Sequence, residues 1–261
     1  MNLSVITTFR ASDQHRLENL YAVERQYYEF FPDCEMIIVE QSRESGLDRG
    51  RFSGDPDHIV VDNPGPFNKA WGLNVGYRVS RGQVLVMTDS DMLIERTDIE
   101  RAILAAQKSI DLVRPFQKLI DLSEIQTQHY FQSGQLPGHP GPGEGYNRAY
   151  RGEQLCLAGG VFVTTRAFYE RVGGFDERFC GWGGEDDAFS IKVQRMTNRS
   201  VVARHATAWH LWHPRANHLE DSTYHRNVTL LRQYQNSEGA EIRARCREMD
   251  HDLGRLNKFK K

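Results

Sequence analysis

Apolar residues recur along this chain in two spacings, and their alternation lays out the elements before any chemistry is considered. Leu3 to Phe9 (LSVITTF) is rich in β-branched residues and suits a buried first strand. Between Asp13 and Phe30, Leu17, Leu20, Tyr21, Val23 and Tyr27 follow at approximately helical spacing, and Pro32-Asp33 stops them. Glu35 to Gln41 (EMIIVEQ) and His58 to Asp62 (HIVVD) read as the second and third strands, separated by a polar, Gly-rich stretch from Ser42 to Pro56. Phe67 to Tyr77 (FNKAWGLNVGY) looks helical despite its glycines, and Gln83 to Thr88 (QVLVMT) reads as the fourth strand. Strand, helix, strand in this order opens a mainly parallel sheet flanked by helices, an α/β fold.

Further on, the pattern predicts an amphipathic helix over 97–109 and a strand over 112–116. A strand reaches Thr165 after Gly159-Gly160, and a short helix over 166–172 ends at Gly173-Gly174. A helix begins at about Asp187 and runs to Met196, and a strand covers 200–203. The segment 136–152 (LPGHPGPGEGYNRAYRG) is too rich in Gly and Pro for regular structure and reads as a flexible flap, with a disordered insertion as the alternative. From about Ser222 the chain reads as one or two charged helices forming a solvated outer layer.

Composition narrows the function. With 261 residues, 39% of them hydrophobic, the chain can bury one sizeable core. Thirty-three basic and 35 acidic residues are mixed along it for a net charge of -2, so it lacks the basic footprint of sequence-independent nucleic-acid binding. Cys34, Cys156, Cys180 and Cys246 are widely separated and form no C-x-x-C, which fits reduced thiols in a cytoplasm. The N-terminus enters a strand-like run at once, and no span of about 20 apolar residues occurs. A cytoplasmic protein without an integral membrane segment is the expectation.

Two acidic motifs carry the candidate chemistry. Asp89-Ser90-Asp91 follows directly on the fourth strand, and in open α/β sheets ligands bind at the carboxyl ends of strands. Carboxylates there suit Mg2+ or Mn2+ held together with substrate phosphates, although a lone D-x-D also serves as a polar strand end with a helix cap. His210 and His213, in AWHLWHPR, favour Mn2+, as one ligand and one supporting partner. The second motif is FCGWGGEDDAF, Phe179 to Phe189, whose three consecutive acids Glu185, Asp186 and Asp187 also suit a helix N-terminus.

With these blocks in view, the sequence resembles inverting glycosyltransferases of the GT-A type, close to the β-1,4-galactosyltransferases and the catalytic domains of bacterial chondroitin polymerases. Five blocks agree in order: TTFR at Thr7 to Arg10, FNKAWGLNVGY, VLVMTDSDM at Val84 to Met92, the stretch from Ala158 to Phe189, and the late His segment. The resemblance implies a GT-A, Rossmann-like domain over 1–220, with a nucleotide-binding half (1–95) and an acceptor and catalytic half (112–220), followed by a helical extension over 221–261.

It also implies roles for individual residues. Thr8, Phe9 and Arg10 fall at the nucleotide, with Asp62, Asn68, Lys69, Asn74 and Ser90 in the donor-binding set. Asp91 is the expected metal ligand, with Asp89 beside it nearer the ribose and sugar, and the A-x-H pattern favours His210 over His213. Trp182 shapes the sugar sites, the Gly183-Gly184 backbone approaches the sugar or phosphate, Glu185 contacts a sugar, and Asp186 is the catalytic base, leaving Asp187 to begin the helix. Mn2+, with Mg2+ possible, a UDP-sugar donor and a carbohydrate or glycoconjugate acceptor follow from the same resemblance. The chain departs from the galactosyltransferases in having D-S-D for D-V-D, and nothing in it corresponds to their disulfides or membrane anchor. A retaining N-acetylgalactosaminyltransferase-like enzyme is the nearest enzymatic alternative, although Asp186 stands where those enzymes carry Asn. A non-catalytic nucleotide-sugar-binding module is a further one.

Overall fold

The computed structural model describes residues 2–138, 146–147, 150–151, 154–157, 159–203, 205–214, 222–249 and 253–259. The chain opens as β1 (Leu3–Phe9), α1 (Gln14–Phe30), β2 (Glu35–Gln41), β3 (Asp57–Val61), α2 (Lys69–Val79) and β4 (Val84–Thr88). It continues as β5 (Met92–Ile94), α3 (Arg96–Lys108), β6 (Leu112–Arg114), β7 (Lys118–Asp121) and α4 (Glu124–Ser133). The short strands β8 (Tyr146–Asn147), β9 (Tyr150–Arg151) and β10 (Gln154–Leu155) precede β11 (Val161–Thr165) and α5 (Arg166–Arg171). Last come α6 (Glu185–Met196), β12 (Ser200–Val202), β13 (Thr207–His210), α7 (Ser222–Asn236) and α8 (Gly239–Met249).

The main sheet has seven strands in the order β12-β6-β11-β4-β1-β2-β3. Its first-half pairs are all parallel, and only β11 runs antiparallel, between β4 and β6. β1 is buried along its whole length, and its residues alternate between faces: Val5 joins a core with Val86, Phe116 and Trp209, and Ile6 joins another with Trp71, Phe175 and Phe189. Two cores on opposite faces of one sheet are what a doubly covered strand requires. The predicted α/β sheet is therefore observed.

Helix α2 tolerates its glycines because they face the sheet. A Cβ on Gly72 would lie 1.9 Å from Thr8 Oγ1, and one on Gly76 would lie 2.3 Å from Ile6 Cγ2. Only hydrogen fits at either place, so α2 packs at contact distance on β1 and delivers its first residue, Lys69, to the carboxyl end of the sheet. Asn68 caps this helix, accepting from Trp71 N at 2.8 Å, and Asp13 caps α1 through Arg16 N at 3.0 Å.

A second sheet has the strand order β5-β13-β7-β8, and the apolar pattern predicts neither its strand β7 nor the helix α4 that follows. β7 has only four residues, too few to show alternation, and α4 has no clear apolar face. The start of α4 is nevertheless written locally, in the capping box of Ser123 and Gln126.

The C-terminal helices correct the expectation of a solvated outer layer. Leu230 and Tyr234 of α7 and Ile242 and Cys246 of α8 bury a third core against Phe179, Ala188 and Ile191, and Trp71 Nε1 donates to Arg255 O at 2.9 Å. Residues 139–145, 148–149 and 152 of the predicted flap lie outside the described residues. All four cysteines are free, and among the described residues no helix is long and apolar enough to cross a membrane.

Candidate active site

The ends of β1 and β4, the start of α2, the loop before α6 and one edge of β13 converge on a cavity of about 930 Å³. It brings together Thr8, Phe9, Arg10, Lys69, Asp89, Ser90 and Asp91 from the first half of the chain. From the second half come Trp182, Gly183, Gly184, Glu185, Asp186 and His210. Asp62, Asn68 and Asn74, expected in the donor site, are not among its lining residues. Asn68 and Asn74 are wholly buried and serve the fold: Asn68 Nδ2 donates to Glu177 O, and Asn74 binds Phe175 O, Glu177 and the Tyr169 hydroxyl. Together they hold the segment that leads into the acidic loop.

That loop is shaped by backbone that only glycine adopts readily. Gly183 and Gly184 have φ of 92° and 94°, and Gly184 is the N-cap of α6. Gly181 N donates to Phe67 O at 2.8 Å, and Asn227 of α7 donates to Cys180 O and Trp182 O at 2.9 and 3.1 Å. Trp182 remains 48% exposed beside Tyr224, with ring centroids 5.6 Å apart. Asp187 does more than begin a helix, because Arg151 of β9 reaches its two carboxylate oxygens at 3.0 and 3.1 Å.

Lys69 ties the two acidic motifs together, with Nζ 2.7 Å from Asp89 Oδ1 and 3.0 Å from Asp186 Oδ2. The Gly159-Gly160 backbone completes the fixing: Gly159 N donates to Asp186 Oδ2 at 3.0 Å and Gly160 N to Asp89 Oδ2 at 2.8 Å. Burial alone would pull the Lys69 ammonium down, but Asp186 and Asp89 outweigh it and hold its pKa above the ordinary value. Burial, with the Asp186 charge added, pushes the Glu185 carboxyl up to about 8. Burial also raises Asp89, against the pull of Lys69.

Asp91 faces the other way. His210 Nε2 and His213 Nε2 stand 3.6 and 3.3 Å from Asp91 Oδ2, and one donor atom from each of the three residues lies within 4.8 Å of the others. The position of Asp91 is set by backbone, since Leu211 N donates to Asp91 O at 2.8 Å. Despite burial, the two imidazoles hold the Asp91 carboxyl far below its usual range. Burial would lower His210, but Asp91 and Asp121 outweigh it and push it up to about 10.

One carboxylate and two imidazoles on a concave wall are a donor set for a divalent transition metal, and Mn2+ fits it. Two expectations change here. His213 stands with His210 instead of merely supporting it, and Asp89, expected beside the metal, is turned onto Lys69 and Gly160 N.

Asp121 is a site residue that sequence reasoning missed. Its Oδ1 lies 3.2 Å from His210 Nδ1, the carboxylate-to-imidazole contact that orients metal-binding histidines. The register that pairs Asp121 with His210 across β7 and β13 creates this contact, and no local motif announces it. Tyr224 and Asn227 were missed likewise, because they belong to the helix read as an outer layer.

Comparison with known proteins agrees with this architecture. The family model described as the N-terminal domain of galactosyltransferase matches residues 145–212, which span the acidic loop and the late histidine strand. β1,4-Galactosyltransferase 7 from Drosophila, solved as a variant with manganese, UDP-Gal and xylobiose, superposes with a TM-score of 0.50 at 15% identity, covering 98% of this chain and 83% of that one. TarS residues 1–349 from S. aureus, in complex with UDP-GlcNAc, gives 0.58 at 16% identity over 99% of this chain and 75% of that one. GalNAc-T7 with UDP, GalNAc and Mn2+ gives 0.57 at 15% identity, covering 98% of this chain and 56% of that one. No curated protein sequence matches significantly. The fold is that of the GT-A glycosyltransferases, and the resemblance to galactosyltransferases is borne out.

Proposed function

We propose that this chain is a metal-dependent, inverting glycosyltransferase that moves a sugar from a nucleotide-diphosphate sugar, a UDP-sugar, to a hydroxyl of a glycan or glycoconjugate. The observation that carries this reading is the Lys69 bridge between Asp89 and Asp186, which joins the strand-end acids to the acidic loop in one cavity with the Asp91-His210-His213 triad. Residues 1–95 are assigned to the nucleotide, 112–220 to acceptor and catalysis, and 221–261 to an extension that supports the loop. The metal and nucleotide bound in the similar structures support the choice of Mn2+ and UDP.

Asp91, His210 and His213 would hold the cation, Mn2+ with Mg2+ as the alternative, which would supply positive charge to the departing nucleoside diphosphate. Thr8, Phe9 and Arg10 receive the base. Arg10 is fixed for this by three backbone carbonyls, donating to Gln41 O, Gly65 O and Asn63 O at 2.9, 2.9 and 3.0 Å. Trp182 offers an apolar face to a sugar ring. Glu185, protonated at neutral pH by burial, can donate to a sugar hydroxyl as well as accept from one.

The acceptor oxygen bonds to the anomeric carbon on the face opposite the diphosphate, the bond from that carbon to the diphosphate oxygen breaks, and the hydroxyl proton passes to Asp186. Lys69 and Gly159 N both engage Oδ2 of Asp186, a residue that lines the cavity. No covalent nucleophile is needed. A panel of nucleotide sugars assayed for Mn2+-dependent transfer, with the product anomer read by NMR, tests the proposal. Inversion is expected. Retention would remove Asp186 as base, and failure to bind any nucleotide sugar with Mn2+ would remove the activity.

A further inference from the structure

A second cavity, of about 390 Å³, plays no part in the reaction described above. It is lined by Gln154 of β10, by Ile191, Gln194 and Arg195 of α6, and by Gln235 of α7. Ile191 is buried, and the side chains of Gln194, Arg195 and Gln235 are exposed around it. A carboxamide both donates and accepts hydrogen bonds, as a sugar hydroxyl does, and a guanidinium adds further donors. An isoleucine among them suits the C–H face of a pyranose ring. The lining is therefore matched to a hydroxyl-rich ligand with one apolar face.

Three elements carry the wall of the active-site cavity into the wall of this one. On α6, Asp187 lines the larger cavity, and Ile191 and Gln194 follow it four and seven residues on, along one helix face. On α7, Val228 and Leu231 line the larger cavity, and Gln235 lies four residues beyond Leu231 on the same face. Across β9 and β10, Arg151 stands in register with Gln154, so their side chains share a face, and Arg151 both lines the larger cavity and holds Asp187. Each helix thus passes from the larger cavity to the smaller in chain direction. At about 1.5 Å per residue, Gln194 lies roughly 10 Å along α6 from Asp187, a distance that an oligosaccharide spans and a single sugar does not.

Resting on the functional reading above, we infer that the smaller cavity is a remote acceptor subsite, which binds a sugar of the acceptor glycan beyond the one that is glycosylated. The acceptor is accordingly an oligosaccharide or longer glycan, lying along the faces of α6 and α7 with its reacting hydroxyl at Asp186. Contacts made in the smaller cavity are the same before and during the reaction, because they touch none of the reacting atoms. They therefore lower the acceptor KM and leave kcat unchanged.

Transfer by the full chain, at saturating Mn2+ and UDP-sugar, tests this on acceptors from monosaccharide to tetrasaccharide in β-1,4-linked xylose, glucose and N-acetylglucosamine. The acceptor KM is expected to fall by about tenfold or more between disaccharide and tetrasaccharide. Arg195→Ala combined with Gln235→Ala removes two exposed side chains at helical positions that alanine suits. It is expected to raise the tetrasaccharide KM about tenfold, with kcat and the disaccharide KM within about twofold of the unaltered chain. Gln235→Trp, which fills the cavity, is expected to do the same. A KM that does not change with glycan length overturns the inference, as does an unchanged tetrasaccharide KM in either variant. Equal rises for disaccharide and tetrasaccharide also overturn it, since they make these residues a support for the helices. Binding of UDP with Mn2+ but transfer to none of these acceptors overturns it while leaving the nucleotide site standing. If the unaltered chain does not bind UDP with Mn2+, the functional reading fails and this inference with it.

Discussion

Asp89 and Asp91 are two residues apart, share one cavity, and behave in opposite ways. Burial works against ionisation of both, yet Asp89 ends above the ordinary carboxylate range and Asp91 far below it. Their partners make the difference. Asp89 shares a single ammonium with Asp186, so two carboxylates divide one positive charge, whereas Asp91 stands alone between two imidazoles. A charge surplus on one side favours positioning and proton transfer, and a lone carboxylate among nitrogen ligands favours a cation. The two carboxylates of the D-S-D motif thus face different partners in this structure.

The sharpest way to break this contrast is to disable one side and watch the other. Asp186→Asn is expected to lower kcat by about a thousandfold while leaving Mn2+ and donor binding nearly intact. Parallel loss of binding and turnover would merge the two sides into one. Asp91→Ala is expected to weaken Mn2+ affinity by about a hundredfold or more, measured by calorimetry, and donor affinity with it. An unaltered Mn2+ isotherm would take Asp91 out of the cation site.

Two smaller effects sharpen the contrast. Asp121→Asn is expected to cost about tenfold in Mn2+ affinity, because the amide orients the His210 ring less firmly and supports its basicity less. Uridine affinity serves as the control that the cavity is otherwise intact, and an unchanged Mn2+ affinity would leave Asp121 without a positioning role. For Glu185 the readout is stability against pH. Its carboxyl is pushed up to about 8 in the folded chain and titrates near about 4.3 when unfolded. Between those values the folded state holds a proton the unfolded chain has shed, so this group's contribution to stability falls as pH rises through the window. Glu185→Gln is expected to match the unaltered chain near about pH 4 and to gain on it progressively up to about pH 8, by denaturant midpoint. A gap that does not widen with pH would disprove burial as the cause.

Much of the architecture is legible locally. The β-branched run at Leu3 to Phe9 and the helical spacing between Asp13 and Phe30 each act through neighbouring residues, and each element appears where the sequence places it. Asn68 and Asn74 show what local reading leaves out, for an equally physical reason. Their block is correctly placed beside the cavity, but a helix points its side chains in several directions, and these two point into the protein. Asp121 carries no local signal at all, since its meeting with His210 is set by strand register.

The sequence by itself determined the alternation of strands and helices, the D-S-D at the end of the fourth strand and the acidic loop, because periodicity, caps and turn chemistry are short-range. Only the tertiary structure decided how the acids divide. Lys69 meets Asp186 across a separation of 117 residues, and His210 meets Asp121 through strand register. Such encounters are fixed by which glycines let α2 press on β1 and by how β7 and β13 align, and these are properties of packing that no window of sequence contains.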